Sequence, residues 1–264
     1  MRLVAALLVL MLAGCTCSKA TPSAKEDKLV VFAAASLRDV FTAMGDDFKR
    51  AHPGVEVTFN FAGTQELRTQ LEHGAAVDVF ASADPRHIDE LVRASRVAVP
   101  VTFARNEPVI VVATEAATMI RSFADLPTAP RIIMGTPEVP IGRYTLQILD
   151  RASTSLSTDF RSRVEARVVS RELNVRQVLA KVSLGAAQAG IVSRTDALAA
   201  RAQVSIVTIP ADINVIAEYP IAIVTGAAHP QLGRAWVDFV LSLAGQRTLH
   251  GAGFLPPGER DSAP

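Results

Sequence analysis

Cysteine is almost absent from the 264-residue sequence: only Cys15 and Cys17 occur, and both lie near its start. If the first of them is chemically modified, the second has no partner, so no disulfide framework can form. A Cys-x-Cys pair with no histidine or further cysteine close by is also a poor metal site. These counts argue against a disulfide-stapled domain and give no reason to expect bound zinc.

An excess of charge is missing too. One of the 27 basic residues, Arg2, precedes Cys15, which leaves 26 basic residues against 26 acidic ones in the rest of the chain. A chain without a basic excess lacks the electrostatic footprint of a nucleic-acid-binding protein. After the first 14 residues no apolar run reaches the roughly 20 residues that a helix needs to cross a bilayer. We therefore expect neither a nucleic-acid partner nor a membrane-spanning helix.

Familiar catalytic motifs do not occur either. The five histidines form no His-x-x-His or His-x-x-x-His pair, and there is neither a Gly-x-Ser-x-Gly elbow nor a Gly-x-x-x-x-Gly-Lys phosphate loop. Asp78 and Asp84 flank a predicted strand and could act as paired carboxylates. We favour the alternative that one of them caps the helix that begins at Pro85 and the other orders the loop. We expect no enzyme and no cofactor, with an exported enzyme as the alternative from a different class.

The first residues have the pattern of an export signal. Met1 and Arg2 precede an apolar run over residues 3–13 and small residues before Cys15, as in a signal peptide. Residues 12–15, Leu-Ala-Gly-Cys, also resemble the bacterial lipobox, in which the cysteine is lipidated; an ordinary signal peptide is the alternative. The polar stretch that follows is typical of a flexible tether. We predict a signal peptide over 1–14, lipidation of Cys15, a tether over 15–27 and an extracytoplasmic, membrane-anchored lipoprotein.

The remainder alternates between β-branched apolar runs and segments with helical periodicity. Several runs are apolar without alternation, as in parallel strands that are covered on both faces, and the alternation predicts an α/β fold. Predicted strands cover residues 28–33, 55–61, 77–82, 109–113, 131–134, 164–169, 189–192, 204–208 and 218–224. Predicted helices cover residues 37–51, 65–73, 85–94, 144–152, 175–184, 195–201 and 230–244.

Two polar segments that end in proline look like crossings between two lobes. They are Asn106-Glu107-Pro108 and Glu218-Tyr219-Pro220, and each leads into a β-rich run. If the chain leaves and re-enters the first lobe there, the lobes are 28–107 with 218–264 and an inserted 108–217. Paired crossings of this kind form a hinge. The alternative is that both prolines start edge strands, where proline is tolerated.

Four strand-to-helix junctions could bind an anion. In two of them small residues precede a hydroxyl at the start of a helix: Ser36 follows three alanines, and Thr64 follows Ala62 and Gly63. In the other two a backbone N–H stands at a helix start, that of Ile141 after Pro140 and that of Val175 after Asn174. Helix starts offer unpaired N–H donors and the positive end of the helix dipole. Ser36 and Asn174 are also good N-caps. Considered one at a time, each of these residues is explained more simply as a helix cap than as a ligand residue.

The same segments resemble the periplasmic molybdate-binding proteins of ABC importers. The matching blocks are Phe32-Ala-Ala-Ala-Ser36-Leu, Phe61-Ala-Gly-Thr64-x-x-Leu67, Asp78-Val-Phe-x-Ser82-Ala-Asp84, Val139-Pro-x-Gly142-x-Tyr144, Asn174-Val-Arg176, Gly190-Ile-Val192 with Thr195-Asp-Ala197, Tyr219-Pro-Ile-Ala222 and Gly251-x-Gly253-Phe254. They follow one another in order over almost the whole chain after the tether.

The resemblance implies a type II periplasmic-binding-protein fold, with two α/β lobes, two crossing strands and a ligand cleft between the lobes. It implies that molybdate or tungstate is bound as the oxyanion, without direct coordination of the metal, by Ser36, Thr64, Ile141 and Val175. It also implies delivery to an ABC permease in the inner membrane by a protein that we expect to be a monomer.

One position departs from that family's pattern. After Gly190-Ile191-Val192 the family typically has a tyrosine that donates to the anion, and here Ser193 stands in its place. Ser193 remains a candidate donor, but a shorter one. Another tetrahedral oxyanion such as sulfate is therefore an open alternative. For Arg143, two residues after Ile141, both a charge-assisted bond to the anion and a plain surface position are open.

Overall fold

A computed structural model of the chain describes residues 27–258, and all structural statements concern this range. The predicted signal peptide, Cys15 and all of the tether except residue 27 lie outside the described residues. None of the described helices combines the length and the apolar character that crossing a membrane requires.

The described residues form ten strands and nine α-helices in alternation. The strands are β1 (Asp27–Ala34), β2 (Val55–Ala62), β3 (Val79–Ala81), β4 (Val101–Asn106), β5 (Pro108–Ala113), β6 (Ile132–Gly135), β7 (Val168–Glu172), β8 (Ala189–Ser193), β9 (Val204–Thr208) and β10 (Ala217–Ile223). The helices are α1 (Arg38–Ala51), α2 (Thr64–Glu72), α3 (Pro85–Arg93), α4 (Pro140–Ser155), α5 (Phe160–Glu165), α6 (Val175–Ser183), α7 (Arg194–Ala199), α8 (Pro230–Leu241) and α9 (Leu243–Gly251).

The strands form two five-stranded sheets. The first sheet has the order β2-β1-β3-β10-β4, with β1 parallel to β2 and β3 and with β10 antiparallel to its neighbours. The second sheet has the order β7-β6-β8-β5-β9, with β6 parallel to β7 and β8 and with β5 antiparallel to its neighbours. The predicted α/β class is confirmed, and both sheets are mixed because one strand that arrives from a crossing lies in the interior of each.

The two predicted crossings join the sheets. A single residue, Glu107, separates β4 in the first sheet from β5 in the second, and Ala217 at the start of β10 pairs with Asn106. The alternative that both prolines start edge strands is wrong, because β5 and β10 each have a partner strand on both sides. Pro220 is accommodated at an irregularity in the pairing, between Tyr219 and Pro220, where an interior strand tolerates proline.

Three elements differ from the sequence prediction. Residues 160–165 form helix α5 and not the start of a strand, because Phe160 and Val164 have helical spacing and both face the core. Strand β4 was not predicted, since its second half, Ala-Arg-Asn, carries little β signal. The predicted helix 230–244 ends at 241, because Ser242 adopts an extended conformation and caps a separate helix, α9, by accepting from the N–H of Gly245 at 3.1 Å.

An aromatic cluster fixes the helices of the first sheet. Trp236 on α8 is fully buried and makes edge-on contacts with Phe41 and Phe48 of α1 and with Phe59 of β2, at centroid distances of 5.4, 5.4 and 5.5 Å. Edge-to-face geometry is favoured by the ring quadrupoles. The cluster therefore sets the position of α1 against the sheet, and with it the position of the β1–α1 junction.

We expect Trp236→Ala to lower the free energy of unfolding by about 3–5 kcal/mol, as is usual when a buried indole is replaced by a cavity. Urea unfolding followed by circular dichroism measures the change. The matched control is Leu243→Ala, at a side chain that is 81% exposed, which we expect to change the free energy by less than about 0.5 kcal/mol. Similar losses in the two variants would contradict the assignment of Trp236 to the core.

Candidate functional site

One cavity lies between the two sheets, and all five sequence-predicted ligand residues line it. Ser36, Thr64, Ile141, Val175 and Ser193 share its wall, and none of them is more than 7% exposed. The cavity is small, about 20 Å³, where a single water needs about 10–15 Å³ by the same measure. A site of this size suits a compact inorganic ion and not a metabolite.

Ser36 reaches the cavity from a 3-10 turn, Ala35–Leu37, that joins β1 to α1. The expectation that it caps the following helix is wrong, because Leu37 occupies the cap position of α1 and no side chain caps that helix. The hydroxyl of Ser36 lies instead 3.0 Å from the phenol oxygen of Tyr219. The Ser36 side chain is therefore not used by its own helix and faces another hydroxyl across the site.

Thr64 is the first residue of α2, after Gly63. Its hydroxyl oxygen accepts a hydrogen bond from the N–H of Ala83 at 3.3 Å, which leaves the hydroxyl proton free to donate. Gly63 cannot carry a side chain, because a Cβ there would collide with the carbonyl oxygen of Leu173 from the second sheet. The glycine thus permits the close approach that brings Thr64 to the cavity.

The second sheet contributes two helix starts. Pro140 is the first residue of α4, so Ile141 lies in its first turn, and Val175 is the first residue of α6. The side chain of Asn174 caps α6 by accepting from the N–H of Gln177 at 3.1 Å, as its position predicts. Amides in a first helical turn have no acceptor within their own helix and lie at the positive end of its dipole. Both amides are therefore suited to a negative charge in the cavity.

Sequence reasoning missed three polar residues of the cavity wall. Asn106, Tyr144 and Tyr219 also line it, and the two tyrosines are the only ones in the sequence. The signal that could have identified both tyrosines is their place in the motif blocks described above. Asn106 fixes the crossing, since its amide nitrogen donates to Thr195 at 2.9 Å and its amide oxygen accepts from the N–H of Glu107 at 2.9 Å.

The wall contains no Lys or Arg, and its only acidic side chain is neutralised. That side chain, Glu107, is 2.5 Å from a guanidinium nitrogen of Arg194. Burial raises the pKa of Tyr219 to about 12 and raises that of Tyr144 further. Both phenols therefore keep their protons at neutral pH, and apart from Glu107 the polar side chains of the lining are neutral.

The cations near the cavity pair with carboxylates and do not line it. Arg143, at the start of α4, lies 3.2 Å from the buried carboxylate of Asp84 on the first-sheet side. Arg176, at the start of α6, lies 2.7 Å from Asp39 on the first-sheet side and 2.5 Å from the buried Asp196. Arg143 is not among the lining residues and is more than a plain surface residue, since its ion pair with Asp84 spans the gap between the sheets. Asp84 also caps α3, as expected for one of the two carboxylates near Pro85.

Neutral hydrogen bonds cross the same gap as well. The imidazole Nε2 of His87 lies 2.9 Å from the carbonyl oxygen of Glu138, and the amide nitrogen of Gln65 donates to the carbonyl oxygen of Leu173 at 2.7 Å. Burial lowers the pKa of His87, so the neutral ring is favoured and donates through Nε2. These contacts, together with the two ion pairs, hold the walls of the cavity together on opposite sides.

Comparison with known proteins agrees with this geometry. A family model described as bacterial extracellular solute-binding protein matches residues 29–255. The molybdate-binding protein ModA of Mycobacterium tuberculosis is 41% identical over 263 residues, which cover 97% of each chain.

Solved structures share the fold at lower identity. The periplasmic molybdate-binding protein of Azotobacter vinelandii has a TM-score of 0.76 at 19% identity, over 87% of this chain and 99% of its own. The sulfate-binding protein SubI of M. tuberculosis has a TM-score of 0.78 at 19% identity, over 88% of each chain. These likenesses confirm the predicted fold of periplasmic binding proteins. The family match, together with the 41% identity, shows that the chain belongs to the bacterial extracellular solute-binding proteins.

Proposed function

We propose that this protein captures molybdate or tungstate in the cavity between its sheets and delivers it to the permease of an ABC importer. The observation that carries the proposal is a small cavity whose described lining presents neutral hydroxyl and amide donors and contains no Lys or Arg. The molybdate-binding relative at 41% identity supports the choice of ligand. The protein acts by binding and release, without catalysis and without a cofactor.

The donor set suits a fully deprotonated dianion. The hydroxyls of Ser36, Thr64 and Ser193 and the first-turn amides of Ile141 and Val175 can all point at one bound ion. A hydrogen bond to a charged group contributes about 1.5–3 kcal/mol, and two helix dipoles add to the positive potential. A phosphate that keeps a proton at neutral pH needs an acceptor in the site, and the first-turn amides offer none.

The second candidate ligand is sulfate, because the sulfate-binding protein SubI shares the fold. Sulfate is a smaller tetrahedral dianion than molybdate and also needs donors only. Discrimination then rests on the distances between donors on opposite walls. A smaller ion cannot reach all of them at once and forfeits at least one hydrogen bond.

Capture requires the two sheets to move apart and close again. We propose that residues 28–107 with 218–264 form one lobe and residues 108–217 the other, with the hinge at Glu107 and at the start of β10. Few residues need to change conformation at such a hinge. The ion pairs of Arg143 and Arg176 then stabilise the closed state without touching the ligand.

The proposed location follows from the sequence pattern of the first 27 residues. Export through the signal peptide, lipidation of Cys15 and a short tether would hold the monomeric protein at a membrane surface, on the outer side of the inner-membrane permease. A tether of about a dozen residues spans a few tens of ångströms at most, which keeps the captured ion close to the transporter.

Titration calorimetry on the soluble protein from Thr16 onward tests the choice of ligand. We expect molybdate and tungstate to bind with similar affinity. We expect sulfate to bind about 10- to 150-fold more weakly, which corresponds to the loss of one charge-assisted hydrogen bond. Tighter binding of sulfate than of molybdate would reject the ligand assignment while leaving the fold untouched.

The role of the Thr64 hydroxyl is tested by two matched substitutions. Thr64→Val keeps the shape but removes the hydroxyl, and we expect a loss of molybdate affinity of about 10- to 150-fold. Thr64→Ser keeps the hydroxyl, and we expect a change of less than about threefold. Equal affinities of the two variants would show that the hydroxyl does not touch the ion.

The role of Arg143 is tested by Arg143→Ala. Because the Arg143 side chain stabilises only the closed state, its loss should speed molybdate dissociation and lower the affinity roughly 5- to 30-fold. The effect is limited because the side chain is partly exposed. Stopped-flow dissociation and calorimetry give both values. The control is Arg163→Ala, which removes an exposed arginine 4.0 Å from Asp159. An unchanged dissociation rate in Arg143→Ala would show that the Arg143–Asp84 ion pair does not stabilise the closed state.

A further inference from the structure

We propose that Tyr219 binds the captured oxyanion directly through its phenol proton and that it is a main determinant of affinity at this site. The inference rests on the proposed function, since it names a further ligand residue in the same cavity. Tyr219 lies on β10, in the second crossing, and is not part of any of the four helix starts.

The packing around Tyr219 fixes its phenol at the cavity wall. The ring makes edge-on contacts with Phe103 at 6.3 Å and Phe254 at 5.4 Å, and the side chain is 1% exposed. Its hydroxyl oxygen is 3.0 Å from the hydroxyl oxygen of Ser36. The phenol thus occupies a set position next to one of the proposed donors, with almost no freedom to turn away.

The hydroxyls of Ser36, Ser193 and Tyr219 form a cluster on the cavity wall. Ser36 and Tyr219 share one hydrogen bond at 3.0 Å, which either hydroxyl can donate, so at least one of their two protons takes no part in it. The amide oxygen of Asn106 already accepts from Glu107, and its amide nitrogen already donates to Thr195. Hydroxyls can satisfy one another only in part, and a buried donor without a partner costs about 1–3 kcal/mol. A bound ion that offers only acceptors can accept the hydrogen bond of the remaining hydroxyl proton.

Among the donors of this cluster the phenol is the most acidic. It carries its proton throughout the physiological pH range, because burial raises its pKa to about 12. A phenol still gives up its proton more readily than the hydroxyl of a serine, and so donates more strongly to an anion. Direct donation from Tyr219 therefore exceeds that from Ser193.

The other tyrosine has a different environment. The hydroxyl of Tyr144 donates to the carbonyl oxygen of Ala83 at 3.4 Å, and the guanidinium of Arg143 lies 4.7 Å from its ring centroid. It already has an acceptor in the protein, so it does not depend on the ion. Tyr144 serves as a natural control, since it is buried, lines the same cavity and carries the same functional group.

Calorimetry on matched variants tests the proposal. We expect Tyr219→Phe to weaken molybdate binding by about 10- to 150-fold. Tyr144→Phe removes only a long hydrogen bond to Ala83 across the gap, and we expect it to weaken binding clearly less than Tyr219→Phe does. In a Ser36→Ala background Tyr219→Phe should still weaken binding, because the phenol acts on the ion and not through Ser36. Wild-type affinity in Tyr219→Phe, or no further loss in the Ser36→Ala background, would overturn direct donation.

A second measurement keeps the phenol hydroxyl of both tyrosines. Since the sequence has only two tyrosines, labelling with 3-fluorotyrosine gives two ¹⁹F resonances, and Tyr144→Phe assigns them. We expect saturation with molybdate to shift the Tyr219 resonance clearly more than the Tyr144 resonance. An unmoved Tyr219 resonance in a protein that binds molybdate would overturn the direct role of Tyr219 and leave the proposed function intact. A wild-type protein that binds neither molybdate nor tungstate would reject the proposed function and the inference with it.

Discussion

Everything at this site depends on backbone N–H groups that helices cannot satisfy internally. The first turns of α2, α4 and α6 open onto one small cavity, and the amides there have no acceptor within their own helices. Two sheets, connected through Glu107 and, next to it, through the segment 209–216 that leads into β10, bring these turns together. A site built in this way holds an anion by oriented dipoles, with no need for a cation on the ligand.

The placement of the arginines follows from the same constraint. Each of the two second-sheet helices that face the cavity carries an arginine in its first turn, where the helix dipole disfavours a cation. Arg143 and Arg176 offset this cost by pairing with Asp84 and Asp39 on the opposite side. Their charge therefore acts between the sheets, where the proposed closure takes place, and neither arginine lines the cavity. In the proposed mechanism, closure of the lobes and recognition of the anion therefore depend on different side chains.

Sequence patterns predicted the elements that carry strong periodicity and clear punctuation. The small residues before Ser36 and Thr64, the Pro140-Ile141 step and the Asn174 cap all mark helix starts, and all four lie at the cavity. The patterns failed where a side chain's role depends on distant partners. Nothing local to Tyr219 shows that its hydroxyl meets Ser36, 183 residues away. Nor does the sequence around Arg143 indicate a partner on the other sheet.

The central claim is that a molybdate-like dianion occupies the cavity between the sheets. A crystal structure of the protein saturated with tungstate tests this most directly, because the anomalous signal of tungsten locates the ion without ambiguity. The account predicts one strong peak inside the cavity, with the tungstate oxygens around it within hydrogen-bonding distance of the Ser36 and Thr64 hydroxyls and of the Ile141 and Val175 amides. A peak outside the cavity, or none at saturating tungstate, would contradict it.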